Sequence, residues 1–182
     1  MPWIALGVVV VLAIALISVY NALVSKRVAC QAAWSQIDVQ LKRRYDLVPN
    51  LVETVKGYAA HERETLEAVI AARNTAAAAA GMQERAQAEN MLTGALRQLF
   101  ALSEAYPDLK ANQNFMQLQE ELTSTENRIA FSRQHYNSTS AEYNSAIQKF
   151  PNNMIANSFG FRQQEYFQIE EPEHRQPPQV KF

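Results

Sequence analysis

A single cysteine, three histidines and five glycines among 182 residues remove several classes of function at once. One thiol, Cys30, makes neither an intrachain disulfide nor a thiolate metal cage. With so little glycine no phosphate-cradling loop is present, and abundant alanine suits helices better than turn-rich β structure. The formal charge of −1 supplies no net field for nucleic acid, so no nucleic-acid partner is expected. Histidine chemistry is equally thin. His61 and His135 lack the carboxylate three residues upstream that di-metal helical bundles use, and "HERET" at His61 is not the zincin HExxH. No serine has a nearby histidine arrangement that suggests a nucleophile. No catalytic residue, metal or cofactor is expected, and a hydrolase or metal protein built on His61 and its adjacent acids is the least favoured class.

Charge is also missing from one end. The first charged residue is Lys26, and the run "WIALGVVVVLAIALISVYNALV" from Trp3 to Val24 is long enough, at about 1.5 Å per helical residue, to cross a hydrocarbon layer of ~30 Å. Trp3 and Tyr20 stand toward its two ends, where amphipathic rings favour the interface. A cleaved leader would want a basic segment before a shorter apolar run, and neither is present. Arg27 in "RVAC" spoils a lipoprotein site, so Cys30 is expected as a small buried side chain. Lys26 and Arg27 follow the run directly. The tendency of positive loops to stay inside then puts the N-terminus outside and the following domain in the cytoplasm. The expected organisation is a transmembrane anchor over residues 1–25, a helical domain over 26–167 and a disordered tail over 168–182, where three prolines and few apolar residues cannot offset ordering entropy.

Between anchor and tail the apolar residues keep helical spacing. Phe115, Leu122, Ile129, Tyr136, Tyr143 and Phe150 recur every seven residues, with Leu118, Thr125, Ser132, Thr139 and Ala146 between them. Cys30, Trp34, Ile37, Leu41, Tyr45 and Val48 form a second stripe. Val52 through Ala72 form a third, and Leu92 through Tyr106 a fourth. Four stripes with short connections imply an all-α protein, an antiparallel up-down four-helix bundle behind a single N-terminal transmembrane helix.

Three breaks set the expected corners. Gly81 ends "NTAAAAAG" and is expected in the left-handed conformation that closes a helix. Pro107 opens the next break, with Asp108 or Asn112 available as an N-cap. Pro49 inside a continuous helix would cost ~3 kcal/mol, so a corner there, in the first turn after Asp46, is preferred to a kink in one long rod. The segment "FPNNMIANSFGF" then returns to the membrane side. There Met154, Ile155, Phe159 and Phe161 either touch lipid or close the base of the bundle.

The corner at Pro49 gathers charge. Lys42, Arg43 and Arg44 on a continuous helix lie ~25 Å beyond the membrane face, several Debye lengths from lipid charge. Pairing with Asp46, Glu53, Glu104 and Asp108 is the expected fate of these cations. The same end, with Lys42, Arg43, Arg44, Asp46, Asn50, Asp108 and Lys110, is also the candidate surface for a protein partner.

"YNALV", "AWSQIDVQLKRRYDLVPNLVETVKGYAAHE", "YPDLKANQNFMQLQEELTSTENRIAFSRQHYN" and "YNSAIQKFP" together resemble the LemA family of bacterial membrane proteins, over nearly everything from Tyr20 to Phe167. The resemblance implies an anchored antiparallel four-helix bundle and transfers no catalytic residues. The expected place is the bacterial inner membrane, and the resemblance also implies membrane shaping or organisation, because the family includes a protein of the magnetosome membrane. Its genes often neighbour a membrane metalloprotease of the HtpX type. Two functions follow. One is a homo-oligomeric scaffold that organises or shapes the lipid bilayer; the other is an adaptor for a membrane protein such as an HtpX-like protease.

Overall fold

A computed structural model of the chain describes residues 2–167, and among these every regular element is a helix. In chain order they are α1 (Pro2–Lys56), α2 (Arg63–Ala78), α3 (Met82–Ser103), α4 (Pro107–Lys110), α5 (Gln113–Gln148) and α6 (Asn152–Ser158). The tail expected to be disordered lies outside the described residues. Two compact units divide the chain. The first takes residues through Val39 together with Ile129–Tyr166, and the second takes Gln40–Arg128 with Phe167. Both long helices, α1 and α5, contribute to each unit.

The corner expected at Pro49 is absent: α1 runs through it as one helix of 55 residues. Proline lacks the N–H that would satisfy the carbonyl of Tyr45, four residues back. Arg73 from α2 supplies that donor instead, its Nε reaching the Tyr45 carbonyl oxygen at 3.2 Å. The helix around Pro49 also buries Val48, Leu51, Val52 and Val55. At ~1.5–3 kcal/mol for each fully buried aliphatic side chain, that burial outweighs the cost of an interior proline. The chain turns later, after Lys56, where the N–H groups of Tyr58 and Ala59 both donate to the Val55 carbonyl at 3.0 and 2.8 Å.

In the second unit, α2 and α3 pack side by side, joined by residues 79–81. Small buried residues, Ala72, Ala76, Ala79, Ala86 and Ala88, sit among Leu66, Val69, Leu92, Leu96 and Leu99 in its core. Gly81 does not adopt the expected left-handed conformation. It is extended, at φ −91° and ψ 156°, and stands as the residue before α3, its carbonyl accepting from Arg85 N at 2.9 Å. The break therefore serves as the start of α3, and a short extended link makes the reversal. Further on, Asn112 caps α5, its side-chain oxygen accepting from Phe115 N at 3.0 Å. Leu109, Phe115 and Leu122 complete this core.

In the first unit the core joins Leu23 and Cys30 of α1 to Tyr143 and Ile147 of α5 and to Ile155, Ala156 and Phe161 beyond it, with Val19 and Val24 packed against them. The seven-residue seam is buried at Phe115, Leu122, Ile129, Tyr136 and Tyr143 but not at Phe150, because α5 stops at Gln148. Trp34 meets Tyr136 edge-on, ring centroids 5.4 Å apart. The chain after α6 buries Phe161 and Phe167, and hydrogen bonds hold the backbone between them. The Asn144 amide donates to the Gln164 carbonyl at 2.9 Å and accepts from the Gln164 N–H at 2.8 Å, while the Tyr136 hydroxyl donates to the Glu165 carbonyl at 2.9 Å. Gly160, at φ +69°, supplies the left-handed residue that ends α6, and Phe161 N closes back on the Ala156 carbonyl at 2.9 Å.

One described helix, α1, carries a stretch long and apolar enough to cross a membrane, and none of that stretch is buried. The packed part of α1 begins at Val19, inside the apolar run itself.

Candidate functional site

Three successive cations on one helix point three ways, about 100° apart. Arg44 lies three residues after Leu41 and four before Val48, on the buried side of α1, and its side chain is 4% exposed. Nη1 donates to Glu89 Oε2 at 2.9 Å. Nη2 reaches Glu126 Oε2 at 2.9 Å and the Thr93 hydroxyl at 2.8 Å. The other oxygen of Glu89 accepts from the Tyr45 hydroxyl, which also lies 3.3 Å from the Ala76 carbonyl. A guanidinium, two carboxylates and two hydroxyls from α1, α3 and α5 thus close on one another inside the second unit.

Burial governs their titration. Removal from water pushes the Glu89 carboxyl above its usual range, and the Tyr45 hydrogen bond and Arg44 charge pull it back only in part. Tyr45 is pushed above its ordinary value, first by burial and then by the Glu89 carboxylate beside it. Beside the cluster lies a cavity of about 210 Å³ walled by Arg44, Thr93, Arg97, Phe100, Thr123 and Glu126, among others. Each terminal nitrogen of Arg44 already faces a carboxylate, and both Glu89 oxygens accept a hydrogen bond. The arrangement suits holding three helices in register rather than activating a nucleophile.

The other candidate contact residues lie elsewhere. Lys42, Asp46 and Asn50 are exposed on α1, spaced by four residues along one side, and the Asn50 carbonyl accepts from the Thr54 hydroxyl at 2.8 Å. Arg43 is exposed and pairs with Glu121 at 3.4 Å. Asp108 sits exposed in the first turn of α4, and Lys110 pairs with Glu104. Glu104, expected to pair with the Lys42–Arg44 cations, pairs with Lys110 instead. Arg43 and Arg44 instead take Glu121, Glu89 and Glu126. The burial of Arg44 was signalled by its spacing from Leu41 and Val48. Glu89 lies in a stretch, "QERAQAEN", that reads as polar surface, and no local pattern marks it.

Cys30 is buried, as expected, with its sulfur 3.5 Å from the Thr139 carbonyl, and burial pushes its thiol pKa up. Among the described residues no three His, Cys, Asp or Glu side chains are grouped to hold a metal. A carboxylate three residues before a histidine does occur once, at Glu171 and His174. Pro172 stands between them, and both lie outside the described residues.

The described residues thus form an all-helical body with a buried ionic cluster, led by an unburied apolar stretch. Residues 33–182 match the LemA family, and the chain belongs to it. It is 29% identical to the magnetosome protein MamQ of Magnetospirillum gryphiswaldense over 81% of its own length, and 30% identical to magnetosome protein MamQ 2 of Paramagnetospirillum magneticum over 82%. It is 28% identical to protein LemA of Metamycoplasma hominis, over 84% of this chain and 70% of that one. The chain spans 64% of the length of the magnetosome relatives. None of these names denotes an enzyme, and the likeness fits a membrane-associated protein.

Proposed function

We propose that the protein is a non-catalytic, membrane-anchored helical scaffold that self-associates and organises or shapes the bacterial inner membrane. The observation that carries this is α1: an unburied apolar stretch continues without a break into the helix that builds the folded body. A hinge there would let the body wander over the membrane, whereas an unbroken helix fixes its orientation to the anchor. The likeness to relatives named as magnetosome proteins supports the same reading. In this proposal α1 beyond the span, α2, α3 and α5 are the members of an antiparallel up-down bundle. Lys26 and Arg27 hold the bundle on the cytoplasmic side.

Native mass spectrometry and cross-linking of the full chain in lipid nanodiscs test the self-association. Oligomers held together in lipid are the expected result, and isolated monomers at every protein concentration would remove the scaffold reading. The adaptor reading draws on the exposed charges Lys42, Arg43 and Asp46. It expects a stable membrane-protein partner, of the HtpX-like protease kind, that is lost on Lys42→Glu with Arg43→Glu. Arg44 is left untouched in that test because its replacement would damage the core.

A further inference from the structure

The twelve residues Phe150–Phe161 carry no charge, and they are bracketed by Lys149 and Arg162. Within the first unit this segment divides its apolar side chains sharply. Ile155, Ala156 and Phe161 are buried, whereas Phe150, Met154 and Phe159 are 79%, 62% and 64% exposed. The buried members pack on α1 at the height of Val19 to Leu23, which is the last part of the apolar run. Tyr20 of that run meets Phe159 at 5.0 Å and Phe161 at 5.7 Å between ring centroids. Arg27, about two turns further along α1 than Tyr20, lies 5.1 Å over the Phe161 ring.

These contacts fix a depth. If the apolar run of α1 crosses the bilayer, the residues touching its C-terminal end stand where hydrocarbon gives way to headgroups, whatever the tilt. We infer that Phe150–Phe161 is a second membrane contact, which inserts Phe150, Met154 and Phe159 into the bilayer interface beside the anchor. Large apolar side chains with a polar backbone link, and cations on either flank, are the composition that favours this zone. Lys149 and Arg162 are exposed and, in this inference, meet lipid phosphate, whereas Arg27 is half-buried over the Phe161 ring. Among the described residues Lys26 pairs with an acid, Glu142 at 3.4 Å. The anchor and this segment together give the body two points of attachment, and two points prevent rotation about α1.

The inference rests on the reading of α1 as a span, and the test separates the two. Nitroxide labels are placed on the full chain, in a Cys30→Ala background, at Val10→Cys, Ser35→Cys, Met154→Cys and Phe159→Cys. The labelled protein is reconstituted in vesicles of phosphatidylcholine and phosphatidylglycerol. Collision with oxygen, which concentrates in lipid, is compared with collision with a water-soluble nickel chelate. The oxygen-to-nickel ratio at Met154 and Phe159 is expected to lie between the values at Val10 and Ser35, severalfold above the latter. Ratios equal to that at Ser35, with Val10 still lipid-like, would overturn the inference while leaving the span. A water-like Val10 would remove the span itself. Loss of both collisions at Met154 and Phe159, with spin–spin broadening, would show a second copy covering the patch and would also overturn it. The unmodified chain gives an independent reading through a lipid carrying a photoreactive group near its headgroup. Cross-linked peptides should include Phe150–Phe161, and their absence beside labelled α1 counts against the inference.

Discussion

The two units solve the same problem, holding long helices together, with different chemistry. The unit that carries the apolar run spends its polar side chains on the backbone: Asn144 and Tyr136 tie down the chain at Gln164 and Glu165. The other unit turns polar side chains on each other, closing buried Arg44 and Glu89 with half-exposed Glu126 and Thr93 beside an aliphatic, alanine-rich core. Backbone ties secure an irregular segment, because a strand of chain without helix needs partners for its own N–H and C=O groups. A buried ion cluster instead specifies which helices meet, since any mispairing leaves a charge without its mate.

Breaking the cluster should cost most. Arg44→Ala leaves Glu89 buried without its cation, and a loss of about 3–5 kcal/mol is expected from the midpoint of urea unfolding. Lys42→Ala, two residues away but exposed, should stay within roughly 0.5 kcal/mol. Equal effects would mean that Arg44 is not enclosed.

Removing the backbone tie comes next. Asn144→Ala strands both polar groups of Gln164, for an expected loss of about 1–3 kcal/mol, with faster hydrogen exchange at the Gln164 amide as the local signature. A smaller contrast sits within one seam. Tyr136→Phe gives up the bond to the Glu165 carbonyl and should cost ~1 kcal/mol. Tyr143→Phe deletes a buried hydroxyl that has no hydrogen-bond partner among the described residues, so it should be neutral or stabilising by up to ~1 kcal/mol. Thermal denaturation of the two variants side by side decides the order.

The smallest effect is a slope. Burial raises the Glu89 pKa in the folded state, so between the unfolded value, about 4.3, and the folded one the native protein holds more proton than the unfolded chain. Stability then falls as pH rises through that window, and this contribution is fully present below the unfolded pKa. Glu89→Gln should flatten the curve there, and an unchanged slope would mean that the carboxylate titrates normally.

Much of the fold is written locally. The seven-residue series Phe115, Leu122, Ile129, Tyr136 and Tyr143 is buried at each member, since a single helix face obeys a single period. Asn112 as the cap of α5 follows from its residue type and place. Pro49 is different. The rule that proline ends a helix assumes an unsatisfied carbonyl, and here Arg73, distant in sequence, satisfies it. Gly81 likewise marks a break whose conformation depends on how α2 and α3 meet. Of the candidate site, Arg44 and its burial can be read from spacing along α1. Its partners Glu89 and Glu126 cannot, because only packing chooses among equally polar residues.

The apolar stretch of α1 has one more consequence. Residues 3–18 face no protein on any side, whereas from Val19 onward the helix has an inside and an outside. A one-residue insertion before Val19 would spin the leading stretch by about 100° and lengthen it by about 1.5 Å, and the spin would disturb nothing. The leading stretch is therefore a part specified by how long and how greasy it is. Foreign sequence of the same length should serve in its place, right up to the turn where Tyr20 and Leu23 begin to demand particular neighbours.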